Sequence, residues 1–189
     1  MPTLLAFAGS TRTDSFNKKL VRIAVAGARA AGAEVDLIDL RDFPMPLYDG
    51  DLEKGGMPEP ARAFKKLLVE HPGFLISSPE YNSSFSGVLK NAIDWASRSE
   101  NDREPPLVAF KGKAAMLMSA SPGGLGGLRG LASLRPVLSN IGMMVLPDQV
   151  AVSRAGEAFD ADGRLKDARQ QAAVEKLGAT LWQFVLKNS

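Results

Sequence analysis

A chain of 189 residues with a net charge of +2 and no cysteine is long enough for one domain with a full core, here taken as residues 1–189. Its 23 Lys and Arg are scattered, so no nucleic-acid stripe or polybasic tail appears, and the missing thiols exclude disulfides, thiol redox chemistry and Cys-ligated metals. The N-terminus has neither the charged start nor the long apolar stretch of a signal peptide, and no apolar run approaches the ~20 residues of a membrane span, so the chain reads as cytoplasmic with no membrane partner.

The first strand is the apolar run of residues 3–8. The polar turn Gly9-Ser10-Thr11-Arg12-Thr13-Asp14-Ser15-Phe16-Asn17 follows it and opens a helix over residues 16–31, with Leu20, Ala24, Ala28 and Ala31 on one face and Gly32 as its C-cap. Strand, polar turn and helix start is where α/β proteins bind phosphate, because free backbone N–H groups and the positive end of the helix dipole point at the turn. Arg12 can grip phosphate oxygens in bidentate fashion, and the Ser and Thr hydroxyls can donate to the rest. The plainer reading is an ordinary βα loop whose Ser15 caps the helix.

Residues 34–39 alternate Val35 and Leu37 against acids, as an edge strand does, and residues 59–70 form a helix behind Pro58 and Pro60. The only His, His71, follows at the helix end and reads as a solvated or C-terminal dipole partner rather than a catalyst. With one His and no Cys, neither a metal site nor a protein nucleophile–base pair is expected. If the chain is an enzyme, a cofactor supplies the hard chemistry.

Residues 73–77 form the third strand, and their loop runs Ser78-Pro79-Glu80-Tyr81-Asn82-Ser83-Ser84-Phe85-Ser86-Gly87 into a helix over 86–98. Residues 113–119 form the fourth strand, and the loop Ser119-Ala120-Ser121-Pro122-Gly123-Gly124-Leu125-Gly126-Gly127 leads to a helix over 126–140. The fifth strand begins at 143–146, with 150–152 as an extension after Pro147, and the last helix covers 164–187. Continuous apolar strands are buried on both faces, and repeated β-then-α units give a doubly wound parallel sheet. Five strands with a phosphate turn after the first favour the flavodoxin-like order 2-1-3-4-5.

In such a sheet the site lies at the carboxyl ends of the strands, so the loops after strands one, three and four should meet. One of them offers a flat aromatic and an amide, Tyr81 and Asn82. Another offers glycines that let backbone approach a ligand closely. A planar heteroaromatic ring fits between them with its phosphate at residues 9–17. Taken singly, Pro-Glu-Tyr-Asn is also good turn chemistry, and residues 123–127 also read as a flexible loop. A P-loop is excluded because Asp14 stands five places after Gly9, and a dinucleotide fingerprint because Arg129 stands where its last Gly belongs. A mononucleotide in a hydroxyl-rich loop remains.

The chain resembles the NAD(P)H-dependent FMN reductases, also described as quinone, azo or chromate reductases. The matching residues are Gly9-Ser10, Arg12, Ser15 and Asn17, then Pro79-Glu80-Tyr81-Asn82 through Gly87, Leu89-Lys90-Asn91-Ala92-Ile93-Asp94-Trp95, and Gly123-Gly124. The resemblance implies that Ser10, Arg12, Ser15 and Asn17, with the backbone of Phe16, hold the FMN phosphate. It implies that Pro79, Glu80, Tyr81 and Asn82 flank the isoalloxazine and tune it, and that Ser119 and Ser121 to Gly124 close its other side. It further implies NADPH or NADH as co-substrate, a small-molecule electron acceptor, and a homodimer or homotetramer with the helix after Gly87 near an interface. A flavodoxin-like electron carrier and an FMN-binding sensor are the competing readings. The net charge of +2 argues against the carrier, which docks through acidic surface. Arg129, Arg98 and Arg103 stand open as partners for a 2′-phosphate or as solvated charges.

Overall fold

The computed structural model describes residues 2–188. Its five-stranded sheet consists of β1 (Thr3–Ala8), β2 (Glu34–Asp39), β3 (Gly73–Ser77), β6 (Ala114–Ala120) and β7 (Met144–Val152), in the order β2-β1-β3-β6-β7 with every pair parallel. In chain order that is the expected 2-1-3-4-5. A separate two-stranded hairpin, β4 (Glu80–Tyr81) and β5 (Ser84–Phe85), lies in the loop after β3.

The two-residue period of the strands divides the core. Leu4, Ala6, Ala8, Leu75, Met116 and Met118 face one layer, formed by α1 (Phe16–Ala30) and α7 (Ala168–Asn188). Leu5, Phe7, Phe74, Ile76, Ala115 and Leu117 face the other, formed by α3 (Glu59–Glu70), α4 (Gly87–Ala96) and α5 (Leu128–Asn140). β3 and β6 are buried along their whole length, which is why they read as unbroken apolar runs.

α1 and α7 meet backbone to backbone. A Cβ on Gly27 would overlap the Glu175 carbonyl oxygen, and a Cβ on Gly178 would overlap that of Ala24. Each helix therefore needs its glycine where it crosses the other.

Several boundaries and residues differ from the sequence expectations, each for a local reason. α5 starts at Leu128, not 126, because Gly126 and Gly127 adopt φ of +63° and +92°. α7 starts at Ala168, not 164, behind Asp167, whose Oδ1 accepts from the Arg169 and Gln170 amides at 2.8 and 3.2 Å. β7 is one strand across Pro147: its register against β6 slips between Ala115 and Leu117, and an edge-strand irregularity accommodates a residue without an N–H. The short helices α2 (Gly50–Lys54) and α6 (Ala155–Ala158) span too few residues to show a 3.6 period.

His71 is not solvated. It is 4% exposed, with Nδ1 at 2.7 Å from the Leu67 carbonyl of the last turn of α3 and Nε2 at 3.0 Å from Asp36 on β2. Its place at a helix C-terminus stands, but its role is to pin α3 to the edge strand. Lys65 is also buried, donating to the Arg98 carbonyl at 2.8 Å and pairing with Glu104. That network folds the segment after α4 back onto α3.

Candidate functional site

The turn after β1 is held from three sides. The Gly9 amide donates to Ser77 of β3 at 2.8 Å, and the Gly9 carbonyl accepts from Ser86 Oγ at 2.6 Å. A Cβ on Gly9 would stand 3.0 Å from the Leu89 side chain, so the turn lies hard against α4. The Arg41 guanidinium donates to the Thr11 carbonyl from beyond β2.

Ser10 and Ser15 are each 4% exposed, whereas Arg12 stands in solvent. Ser10 Oγ accepts from the Arg12 amide at 3.3 Å, which turns the chain so that this cation overhangs the notch. Among the described residues none makes an ion pair with Arg12. Ser15 occupies the N-cap position of α1, yet its hydroxyl makes no capping bond. The plainer reading, in which that hydroxyl closes the helix end, is therefore not what the chain does. The Lys18 and Lys19 amides both return to the Ser15 carbonyl. The first-turn amides before them, including Phe16, have no helical acceptor because of their position.

Asn17 is 2% exposed, and its amide group ties three elements together. Nδ2 donates to the Ala120 carbonyl at 2.9 Å, while Oδ1 accepts from the Ala120 amide and from Ser77 Oγ, both at 2.9 Å. The carboxyl ends of β3 and β6 are thus stitched to the first turn of α1. Both lone pairs of Oδ1 are used, and only one N–H of Nδ2 is left to meet a ligand.

The loop after β3 forms its hairpin around Asn82 and Ser83, with φ of 52° and 66°. Two successive left-handed residues make the turn type whose twist matches a hairpin. The turn lies one step later than Pro-Glu-Tyr-Asn suggests, placing Asn82 at the exposed tip and Tyr81 on the strand, 51% exposed. Pro79 is buried at the base of the loop. Glu80 turns its side chain away toward α5. Oε1 accepts from Arg129 Nε and Nη2 at 2.9 and 2.6 Å, and Oε2 accepts from the Gly130 amide at 3.0 Å. Burial alone would raise its pKa, but the Gly130 N–H and the Arg129 guanidinium outweigh that and hold it below the usual carboxylate range. The contact therefore persists above the ordinary carboxylate pKa and is lost only as pH falls through the lowered value.

The loop after β6 divides into two parts. Ser119 is fully buried, and its hydroxyl lies beneath Gly127 rather than opening into the cleft; a Cβ on Gly127 would overlap it. Gly126 and Gly127 are thus demanded by the fold. Gly123 and Gly124 are not: a Cβ on Gly123 would meet only Ser121 Oγ at 3.8 Å, and one on Gly124 nothing within 4 Å. Those two glycines leave an open, level wall. Ser121 is anchored by its amide to the Val152 carbonyl at 3.1 Å and by its carbonyl to the Ala155 amide at 3.1 Å.

Ser10, Arg12, Ser15, Phe16, Asn17, Pro79, Glu80, Tyr81 and Ser121 line one notch of about 50 Å³, joined by Ala120 and Pro122, which the sequence did not single out. Gly9, Asn82, Ser119, Gly123 and Gly124 lie outside it, Gly9 and Ser119 as supports. A volume that admits roughly three to five water-sized groups is the size of a phosphate. Three larger hollows surround the notch: one of about 290 Å³ opens beside Gly124 of the loop after β6, against Arg154 and Glu157, and two of about 300 and 280 Å³ lie farther off, beside Asp39 and Phe43 and beside Gly163. Neither of the last two joins the loops at the switch point, where open α/β sheets take their ligands. Of the arginines left open above, Arg129 is committed to Glu80, and Arg98 lies 5.7 Å from the Tyr48 ring centre.

A protein-family model for NADPH-dependent FMN reductase matches residues 2–157. An NAD(P)H-dependent FMN reductase of Pseudomonas aeruginosa is 36% identical over 174 residues, covering 92% of this chain and 89% of that protein. A 2-hydroxy-1,4-benzoquinone reductase of a Burkholderia species is 34% identical over 176 residues, covering 90% and 91%. Among solved structures, the flavoenzyme NAD(P)H:(acceptor) oxidoreductase of Paracoccus denitrificans superposes with a TM-score of 0.82 at 28% identity, over 100% of this chain and 99% of that one.

Proposed function

The chain belongs to the NADPH-dependent FMN reductase family, and we propose that the cleft at the carboxyl ends of β1, β3 and β6 is where it holds its FMN. When bound, FMN supplies the two-electron chemistry, taking hydride from NAD(P)H and passing electrons to a quinone, flavin, azo or similar small acceptor. The chain's own residues bind and orient. Arg12, Ser10 and Ser15 take the phosphate together with the Phe16 amide at the start of α1. Asn17 holds the three loops at fixed spacing and lends its remaining N–H. Tyr81 offers a flat face, and the backbone amides of residues 80–82 would supply hydrogen-bond donors for charge that gathers on the reduced ring. Gly123 and Gly124 leave the opposite side clear. No acid–base side chain is needed.

One observation carries this reading: an unpaired arginine, two buried hydroxyls and a helix start share a notch with an exposed tyrosine whose loop comes from a different strand. The test is an anaerobic absorbance titration of the FMN-loaded protein with NADPH and then NADH. Stoichiometric bleaching by either donor supports the reading. Bound FMN that neither donor reduces would leave the electron carrier or the sensor, and no FMN binding would remove the site. Arg12→Ala should raise the FMN dissociation constant about ten- to a hundredfold, because a charge-assisted contact contributes roughly 1.5–3 kcal/mol. An unchanged constant would take Arg12 out of the site.

The chain is further proposed to act as one domain in the cytoplasm and to assemble as a homodimer or homotetramer. Among the described residues no helix is long and apolar enough to cross a membrane. Leu47 and Leu52, 80% and 50% exposed, lie on the segment tied to α4 through Pro46, Asn91 and Trp95, which supports an interface near that helix. Light scattering on the purified protein reads the assembly directly.

A further inference from the structure

We infer that Glu80 is a positioning residue for the cofactor: clamped to α5, its carboxylate sets the height at which Tyr81 and the adjoining backbone amides stand against FMN. The inference rests on the FMN reading above. β4 and β5 have two residues each and form a sheet of their own, so the hairpin cannot hold itself in place. Its anchorage is α5. Arg129 grips one Glu80 oxygen through two nitrogens at 2.9 and 2.6 Å, and the Gly130 amide meets the other at 3.0 Å. The Glu80 side chain is 8% exposed, so this pair is shielded more than a surface bridge. Gly130 allows the approach: a Cβ there would stand 3.2 Å from both Glu80 Cβ and the Ser84 carbonyl. The Ser133 hydroxyl adds only an exposed bond of 3.3 Å to Ser83.

Successive strand residues face opposite ways. With Glu80 pinned against α5, Tyr81 must face outward, and it is half exposed. Releasing Glu80 lets the hairpin roll, and the tyrosine and the amides move with it. The main sheet does not depend on this contact, because the hairpin pairs with none of its five strands.

The experiment compares wild type with Glu80→Gln, Arg129→Ala and the double variant. FMN affinity is read from quenching of flavin fluorescence, the midpoint potential of the bound flavin by anaerobic titration, and thermal unfolding without FMN. Glu80→Gln keeps the shape but loses the charge, and the FMN dissociation constant should rise about tenfold with a shifted midpoint potential and little change in unfolding. Arg129→Ala should do less, because the Gly130 amide still holds Glu80. The double variant should be no worse than Glu80→Gln alone, as expected of residues acting as one unit. Wild-type affinity and potential in both single variants would overturn the inference, as would additive losses in the double. If Glu80→Gln fails to fold, the residue is structural at large and the inference fails with it. A wild type that does not quench FMN would instead overturn the cofactor reading.

Discussion

Gly27→Ala should destabilise the protein by about 3 kcal/mol, although the same change in an exposed helix interior would stabilise it by roughly 1 kcal/mol through helix propensity. The sign is decided by space. The added methyl would overlap a carbonyl oxygen of α7, and backbone cannot rotate aside as a side chain can. The two helices must separate, which opens the packing of Leu20, Ala24, Val174, Leu177 and Leu181 beneath them. Urea unfolding should show a lower midpoint with the slope unchanged. Gly124→Ala is the control, since its methyl would meet nothing within 4 Å, and it should unfold as wild type does. A Gly27→Ala protein as stable as the parent would mean that the helices do not cross this closely.

Asn17→Ala should cost roughly 3 kcal/mol and weaken FMN binding at least about tenfold. Removing the amide strands three buried partners: Ser77 Oγ and both the amide and carbonyl of Ala120. Each was withdrawn from water on condition of that partner. Beyond stability, the variant frees the ends of β3 and β6 from the first turn of α1, so the loops that wall the notch lose their common anchor. Unfolding and fluorescence quenching measured side by side read both effects. A normal dissociation constant in a destabilised protein would confine Asn17 to the fold, and a normal stability would show that the stitch carries no weight.

The sheet and most helices were legible because their signals are local. Buried parallel strands are unbroken apolar runs, and the long helices show a 3.6-residue period. The three loops of the site were legible because sheet topology dictates where strand ends meet. What escaped was pairing across the chain. Nothing near Glu80 announces Arg129, 49 residues on, and nothing in α1 announces that Gly27 needs a glycine at 178. His71 could be read only as a solvated or dipole partner, and Lys65 drew no reading, for the same reason: their partners Asp36 and Glu104 lie 35 and 39 residues away. Ser119 looked like a ligand donor because it sits in the loop after a central strand. Alternation turns it inward, and Gly127 closes over it.

The crossing of α1 and α7 also bears on how the protein is made. Every residue that lines the notch lies at or before Pro122, and β7 ends at Val152. A ribosome that has released this much has delivered the whole of the proposed cofactor notch and all five strands. Yet Gly27 faces no partner until residues 168–188 emerge, and Leu4, Leu75 and Met116 are left without the α7 half of the layer that covers them. The nascent chain thus carries the complete notch on a half-clad sheet, and synthesis of α7 is what seals it.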